Sequence, residues 1–161
     1  MALVLKADVG AVDANTYITK ANATIYFESH MESALWTAGS ALQDIALVHA
    51  CRQIDQLSFR GEKVTPTQAL KFPTTNQTWI GERVAVTVIP EVVKQAQCEQ
   101  ALYLIKHEGP SRRDELRADG VTQFGMKAAG GKSIGGRRAI SICPMAHSLL
   151  HPYLRKGALT V

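Results

Sequence analysis

The sequence lacks the features that would assign it to a membrane, secreted or disulfide-stabilised class. None of its 161 residues lie in an apolar run of about 18, the minimum for a transmembrane helix. Its first residues have no basic segment ahead of an apolar core, so we expect no secretion signal. The three cysteines, Cys51, Cys98 and Cys143, cannot all pair, and each lies within a predicted element. Reduced thiols in a cytosol are therefore expected.

Motifs of catalysis are also missing. His49, Asp55, Ser58 and Glu99 carry groups that can act as acids, bases or nucleophiles. None of them stands in a nucleophile elbow or in a His-Glu-x-x-His helix. Polar side chains on solvated helix faces account for all four, so we expect no enzyme activity and no cofactor.

Two local patterns imitate binding sites. Gly130–Ser133 resembles the end of a phosphate-binding loop, but the first glycine of such a loop would fall at Met126. Cys143, His147 and His151 are spaced so that a continuous helix would put them on one face, with metal-ligand chemistry available. No fourth ligand is evident and Pro144 interrupts the pattern, so we expect a helix face in contact with solvent or a partner.

Charge is mildly positive, with 18 basic and 14 acidic residues, a net charge of +4 and a pI near 9.1. Residues 121–142 contain five glycines and no acidic residue, and they carry Lys127, Lys132, Arg137 and Arg138. This composition predicts a β-hairpin or flexible loop with a basic tip. No aromatic residue lies between 127 and 138, which disfavours base stacking and leaves a non-specific electrostatic role.

Helical patterns fill most of the rest. Thr19 is a predicted N-cap for a short helix, and Ser40 for a second helix that stops near Arg60 and Gly61. A third helix begins at Pro90 and ends before Gly109. Ser111 caps a charged helical segment over 111–119, and a last helix covers about 144–154. Residues 3–18 favour an extended arm or short strand.

The third helix carries two apolar faces. One is marked by Val92, Val93, Ala96, Tyr103 and Leu104, and the other by Cys98, Ala101, Leu102 and Ile105. Two apolar faces predict two packing partners, and in a small chain the second can be another subunit. The fold class is therefore mainly α: a small helical bundle in one domain, with a core of about 19–119 plus 144–154, a hairpin or loop insertion over 121–142, and extended N- and C-terminal arms, the latter over 155–161.

An ordered set of segments resembles one protein family across nearly the whole chain. The segments are Asp13–Tyr17, Trp36, Ile54–Asp55, Phe59–Gly61, Gln68–Pro73, Ile89–Pro90 with Val93, Ala96 and Glu99, Leu149–Leu150 and Pro152–Leu154. Together they resemble the head-tail connector (adaptor, or head-completion) proteins of tailed bacteriophages. Some of those proteins are described as DnaT-like single-stranded-DNA-binding proteins.

This resemblance implies a structural protein of the virion neck, made in the host cytoplasm and lacking a catalytic site. It implies a homo-oligomeric ring, usually of twelve subunits, that docks beneath the portal protein, attaches to stopper or tail proteins and passes genomic DNA through its channel without specific binding. The candidate subunit interface is Cys98, Ala101, Leu102 and Ile105. The candidate contacts with the portal or a neighbour are Lys127, Lys132, Arg137, Arg138, Leu154, Arg155, Lys156 and Leu159. The alternative is a single-stranded-DNA-binding accessory protein.

Overall fold

Five α-helices form the described fold, which is mainly helical as predicted. The computed structural model describes residues 3–75, 77–79, 82–107 and 142–155. The helices are α1 (Lys20–Glu28), α2 (Ser33–Ala38), α3 (Gln43–Asp55), α4 (Glu91–Lys106) and α5 (Pro144–Leu150). A 3-10 turn, His151–Tyr153, follows α5, and two short antiparallel strands, β1 (Thr78–Trp79) and β2 (Glu82–Arg83), pair with each other.

The helix termini test the predicted caps. The Thr19 side chain accepts a hydrogen bond from the Asn22 N–H at 3.3 Å, which confirms this N-cap. The Ser40 cap is wrong, because α3 begins after Leu42, which supplies no capping side chain. Pro90 stands at the N-cap of α4, one position earlier than predicted. Helix α2 was not predicted, since its six residues are too few for a periodic pattern to emerge.

Helix α4 runs through the centre of the fold, against α3 on one side and α5 on another. One apolar cluster joins α4 to the end of α3, the loop at 57–72 and α5, with Ile54, Phe72, Val93 and Leu150 almost fully buried. A second cluster joins α4 to α1, α2 and α3, and here Phe27 stacks on Trp36 with ring centroids 4.5 Å apart. The two clusters account for both apolar faces of α4.

This packing corrects the predicted subunit interface. Cys98, Ala101, Leu102 and Ile105 all belong to the second cluster, and their exposed fractions are 0%, 0%, 2% and 7%. Their partner is the chain's own α1–α3 layer, so these side chains are not available to a neighbouring subunit. The second partner inferred from the two faces exists, but it lies within the same chain.

Buried glutamines tie irregular segments to the helices. The side chain of Gln97 on α4 accepts from the Tyr17 N–H at 2.9 Å and donates to Thr16 Oγ1 at 2.7 Å and to the Leu47 carbonyl at 2.8 Å. Gln68 donates to three carbonyls in the segment 70–73. An amide carries donors and an acceptor at once, so Gln97 supplies the acceptor of the buried Tyr17 N–H, and both glutamines add bonds to backbone carbonyls.

The N-terminal arm is a loop closed by hydrogen bonds. The backbone N–H of Asn15 donates to the Lys6 carbonyl at 3.0 Å, and the Asn15 side chain donates to the Val4 carbonyl at 2.8 Å. Gly10, with φ of 73°, turns the chain at the tip. Val9 and Val12 beside it are 49% and 69% exposed. The arm is therefore a structured loop that presents apolar side chains to the surface.

Within the described ranges, no helix is both long enough and apolar enough to span a bilayer. The predicted segment 111–119 lies outside the described residues, and so does the predicted hairpin except for Ile142, which has no regular secondary structure.

Candidate nucleic-acid interface

A basic cleft of about 380 Å³ opens where three distant parts of the chain meet. It is lined by Ser58, Phe59, Gly61, Glu62, Lys63, Lys71, Thr74 and Arg155, and below it is called the basic cleft. Two backbone pairings form its framework, because Phe59 pairs with Leu154 and Lys63 pairs with Thr74, both antiparallel. The cleft is therefore built on backbone hydrogen bonds that fix the spacing of its walls.

The pairing of Phe59 with Leu154 decides which side chains face outward. Its two flanking bonds run from the Arg60 N–H to the Tyr153 carbonyl at 2.8 Å and from the Arg155 N–H to the Ser58 carbonyl at 3.0 Å. Phe59 and Leu154 are each 5% exposed and enter the first apolar cluster. Because side chains alternate along paired segments, the neighbouring arginines remain at the surface.

The two arginines cross to opposite segments. The Nε–H of Arg155 donates to the Phe59 carbonyl at 2.9 Å, and the Nε–H of Arg60 donates to the Leu154 carbonyl at 2.8 Å. Arg155 lines the basic cleft and Arg60 does not. Each guanidinium uses Nε for this bond and keeps its terminal nitrogens for other acceptors. The chain thus contains a matched pair of arginines, one inside the cleft and one outside it.

Two lysines are positioned by carbonyl oxygens. The Lys71 ammonium donates to the Leu57 carbonyl at 2.6 Å, and the Lys63 ammonium donates to the carbonyls of Gln68 and Ala69 at 2.8 and 3.1 Å. An ammonium has three donors, so both lysines retain capacity for a further acceptor. Carbonyls orient these cations without neutralising their charge.

A buried network holds the segment that carries Lys71. Asp55 Oδ1 accepts from the Tyr17 hydroxyl at 2.5 Å and from the Lys71 N–H at 2.7 Å. Burial, and secondly the charge of Asp55, raise the pKa of Tyr17 well above its ordinary value. The phenol therefore stays protonated as a donor, and the end of α3 fixes the backbone beneath the cleft.

The electrostatics of the basic cleft favour an anion. Lys63, Lys71 and Arg155 line it together with a single carboxylate, Glu62, which gives a formal charge of +3 − 1 = +2. In the part of the chain that the structure describes, none of these three cations forms an ion pair. Lysine and arginine side chains that are not paired with carboxylates can contact phosphate groups in nucleic-acid-binding proteins.

Thr74 is the polar residue buried deepest in this lining. It is 3% exposed, and its Oγ1 has no hydrogen-bond partner within the described residues. Its backbone N–H donates to Gln77 Oε1 at 3.4 Å. The hydroxyl is thus an unused donor and acceptor on a residue that lines the same cleft as the three cations.

A second, larger cleft of about 540 Å³ lies between α4 and α5 and carries mixed charge. Glu99 on its wall accepts from the Tyr26 hydroxyl at 2.6 Å and contacts His30 Nε2 at 3.3 Å. Glu32 and Lys106 form an ion pair there at 2.5 Å. Because its lysine is already paired with Glu32 and Glu99 adds a second carboxylate, this cleft offers less to a polyanion than the basic cleft does.

The structure separates the predicted contact residues. Arg155 lies in the basic cleft, but Leu154 is buried in the first apolar cluster, so its predicted contact with a portal or neighbour is wrong. Lys127, Lys132, Arg137, Arg138, Lys156 and Leu159 lie outside the described residues.

The three candidate metal ligands, Cys143, His147 and His151, lie along α5 and the turn that follows it. Cys143 is the N-cap of α5, where its Sγ accepts from the Ala146 N–H at 3.3 Å, and His151 begins the 3-10 turn. Across the described ranges, no group of three His, Cys, Asp or Glu residues could hold a metal ion.

Sequence reasoning missed Lys63, Lys71 and Thr74 as site residues. Each is an ordinary polar residue in a loop, and only the pairing of 59 with 154 and 63 with 74 brings them together with Arg155. The signal that could have found one of them was the segment Gln68–Pro73. It contains Lys71, and it is one of the segments that carry the family resemblance.

Comparison with known proteins identifies the family. A family model described as "putative DnaT-like ssDNA binding protein" matches residues 1–161, the whole chain. The chain therefore belongs to this family. No curated protein and no solved structure matches it. The match agrees with the DnaT-like part of the resemblance, while the bacteriophage connector identity stays a prediction.

Proposed function

Given this family membership, we propose that the protein binds single-stranded DNA through the phosphates of its backbone, with the basic cleft as a principal contact. The observation that carries the proposal is the set of three ordered cations, Lys63, Lys71 and Arg155, which carbonyls orient and which no carboxylate pairs. Such a set supplies the electrostatic share of nucleic-acid affinity, which is independent of sequence. The proposed role is binding, with no catalytic step.

The aromatic residue of the basic cleft supports phosphate contact over base stacking. Among the described residues, Phe59 is the one aromatic residue in the lining, and it is 5% exposed because its ring enters the first apolar cluster. Stacking on single-stranded bases requires exposed ring faces. We therefore expect little preference among base sequences for the contacts made at the basic cleft.

A titration of a labelled oligonucleotide tests the proposal. Fluorescence anisotropy at several salt concentrations should give log affinity falling with log salt, with a slope near −2 for three phosphate contacts at about 0.7 each. Arg155→Gln should weaken binding and reduce the magnitude of the slope by about 0.7. Arg60→Gln is the matched control, because it removes the same kind of Nε–carbonyl bond outside the cleft. Affinity that is absent at low salt, or lost equally in both variants, would refute the proposal.

A second candidate function is the connector subunit that the resemblance implies. It is favoured by Val4, Val9 and Val12, which are 62%, 49% and 69% exposed on the hydrogen-bonded N-terminal loop. Apolar side chains held at a surface are typical of protein–protein contacts. In this function, the loop would contact the portal or an adjacent subunit of a ring.

Co-sedimentation with the portal protein, followed by electron microscopy, tests this second function. A ring at the portal base is expected from the native chain, and Val12→Asp should prevent it. Val86→Asp is the control, because Val86 is also exposed, at 41%, but lies in the turn before α4. The connector function is excluded if the native chain forms no ring on the portal.

A further inference from the structure

One residue in the lining of the basic cleft carries a buried hydroxyl that the fold itself does not use. Thr74 lines the cleft, and its Oγ1 is enclosed and has no hydrogen-bond partner within the described residues. A buried polar group without a partner carries a desolvation cost, which a ligand bearing hydrogen-bond acceptors can relieve. The hydroxyl is therefore a second indication of a ligand, independent of the cations.

The charge of the cleft matches one kind of phosphate group. Three cations and Glu62 leave a formal charge of +2 in a concave site of about 380 Å³. A phosphodiester inside a strand carries one negative charge, whereas a terminal phosphate monoester carries about 1.5 to 2 at neutral pH. A terminal group also has three free oxygens, which suit donors that converge from several sides.

The walls of the cleft supply those converging donors. Arg155 comes from the segment paired with Phe59, Lys71 from the loop held by Asp55, and Lys63 from the segment paired with Thr74. Each has at least one donor left after its bond to a carbonyl. Together with the Thr74 hydroxyl they can surround a single phosphate group, in addition to contacting the phosphates of a strand.

We propose that the basic cleft is a subsite for a terminal phosphate monoester of a DNA strand, bound by Lys63, Lys71, Arg155 and the hydroxyl of Thr74. The inference rests on the proposed function and adds strand-end recognition to it. Free inorganic phosphate has the same chemistry and should compete for the same site. Nothing in this recognition depends on the base.

The test compares three oligonucleotides of one sequence: 5′-phosphorylated, 3′-phosphorylated and unphosphorylated. At least one phosphorylated form should bind about tenfold more tightly, the equivalent of one hydrogen bond to a charged group. Inorganic phosphate should remove this difference, and sulfate at the same ionic strength serves as the control for general screening. Equal affinity of all three oligonucleotides would overturn the proposal while leaving backbone binding intact.

Variants of Thr74 assign the effect to the subsite. Thr74→Val keeps the shape of the side chain and should abolish the preference for a phosphorylated end. Thr74→Ser retains a hydroxyl and should keep the preference, and Arg60→Gln should leave it unchanged. A preference that survives in Thr74→Val would contradict the assignment.

Failure of the proposed function would look different. If no oligonucleotide binds, calorimetry with inorganic phosphate alone decides whether the subsite exists, with the native chain and Thr74→Val measured side by side. Thr74-dependent uptake of phosphate would support the subsite, and heats that are the same for both proteins would refute it.

Discussion

The hydroxyl of Tyr17 and the carboxylate of Asp55 are joined by a hydrogen bond of 2.5 Å across 38 positions of sequence. The same carboxylate oxygen accepts the Lys71 N–H, so one side chain connects the N-terminal segment, the end of α3 and the wall of the basic cleft. The stability of the fold and the geometry of the cleft therefore depend on the same group.

Asp55→Ala should lower both stability and DNA affinity. It leaves the Tyr17 hydroxyl and the Lys71 N–H without their acceptor, at a cost of about 2 to 3 kcal/mol in the free energy of unfolding. Tyr17→Phe removes the hydroxyl that donates to Asp55 and accepts from the Phe72 N–H at 3.4 Å, and it should cost about 1 to 2 kcal/mol. Urea unfolding followed by circular dichroism measures the free energy of unfolding of both variants. Asp8→Ala, at an exposed position, is the control, and equal midpoints for Asp8→Ala and Asp55→Ala would contradict the role of the network.

Gln97→Leu should be among the most destabilising single changes in α4. The leucine fills a similar volume but leaves the Tyr17 N–H without its acceptor inside the core, and it removes the bonds that Gln97 donates to Thr16 Oγ1 and to the Leu47 carbonyl. The stranded N–H costs about 1 to 3 kcal/mol and each lost bond about 1 kcal/mol, so the expected loss is about 3 kcal/mol or more. Gln95→Leu makes the same chemical change at a half-buried position of the same helix. Comparable unfolding midpoints for the two variants would show that the buried amide contributes little.

Stability should fall as the pH rises above about 9. Burial raises the pKa of Cys51 above its ordinary value of 9.0 and that of Cys98 to about 12, and it raises that of Tyr17 well above 10.0. The unfolded chain releases these protons first, so it binds fewer protons than the folded chain and is favoured by alkali. The fall should approach about 1.4 kcal/mol per pH unit for a fully buried group. In Tyr17→Phe the fall in stability should be shallower above about pH 10, because one of the titrating groups is absent. Urea midpoints of the native chain that stay constant up to about pH 10.5 would contradict the prediction.

Two glycines should resist replacement by alanine for different reasons. A Cβ at Gly39 would lie 2.7 Å from Cγ2 of Ile105, a stiff β-branched side chain, so packing must shift at a cost of about 1 to 3 kcal/mol. A Cβ at Gly10 would meet nothing within 4 Å, but its φ of +73° costs about 1 kcal/mol or more for alanine. Thermal unfolding of Gly10→Ala, Gly39→Ala, Ile105→Ala and the double variant Gly39→Ala/Ile105→Ala separates the causes. Replacing Ile105 should offset the clash at Gly39, and strict additivity of the two changes would exclude it.

Local signals predicted most of the helical framework. Thr19 as a cap and Pro90 at the start of α4 follow from short-range rules. The prediction failed at the start of α3. Ser40 satisfies a capping pattern, but residues 39–42 form a turn after α2, so α3 begins later, at Gln43.

The predicted interface failed for a related reason. The surplus apolar face of α4 looked unpartnered because α2 and its Trp36 were not recognised as a helix that covers it. The basic cleft was beyond sequence reasoning, since Lys63 and Arg155 are brought together only by tertiary pairing of distant segments. Periodicity detects the faces of an element, but it does not detect which loops meet.

The central claim is that the ordered cations of the basic cleft bind the DNA backbone, and the salt dependence of oligonucleotide affinity in three proteins tests it most directly. Between about 50 and 200 mM salt, the native chain and Arg60→Gln should give the same steep slope of log affinity against log salt, and Arg155→Gln a slope smaller in magnitude by about 0.7. A slope that Arg155→Gln leaves unchanged, or a native chain that does not bind at the lowest salt, would contradict it.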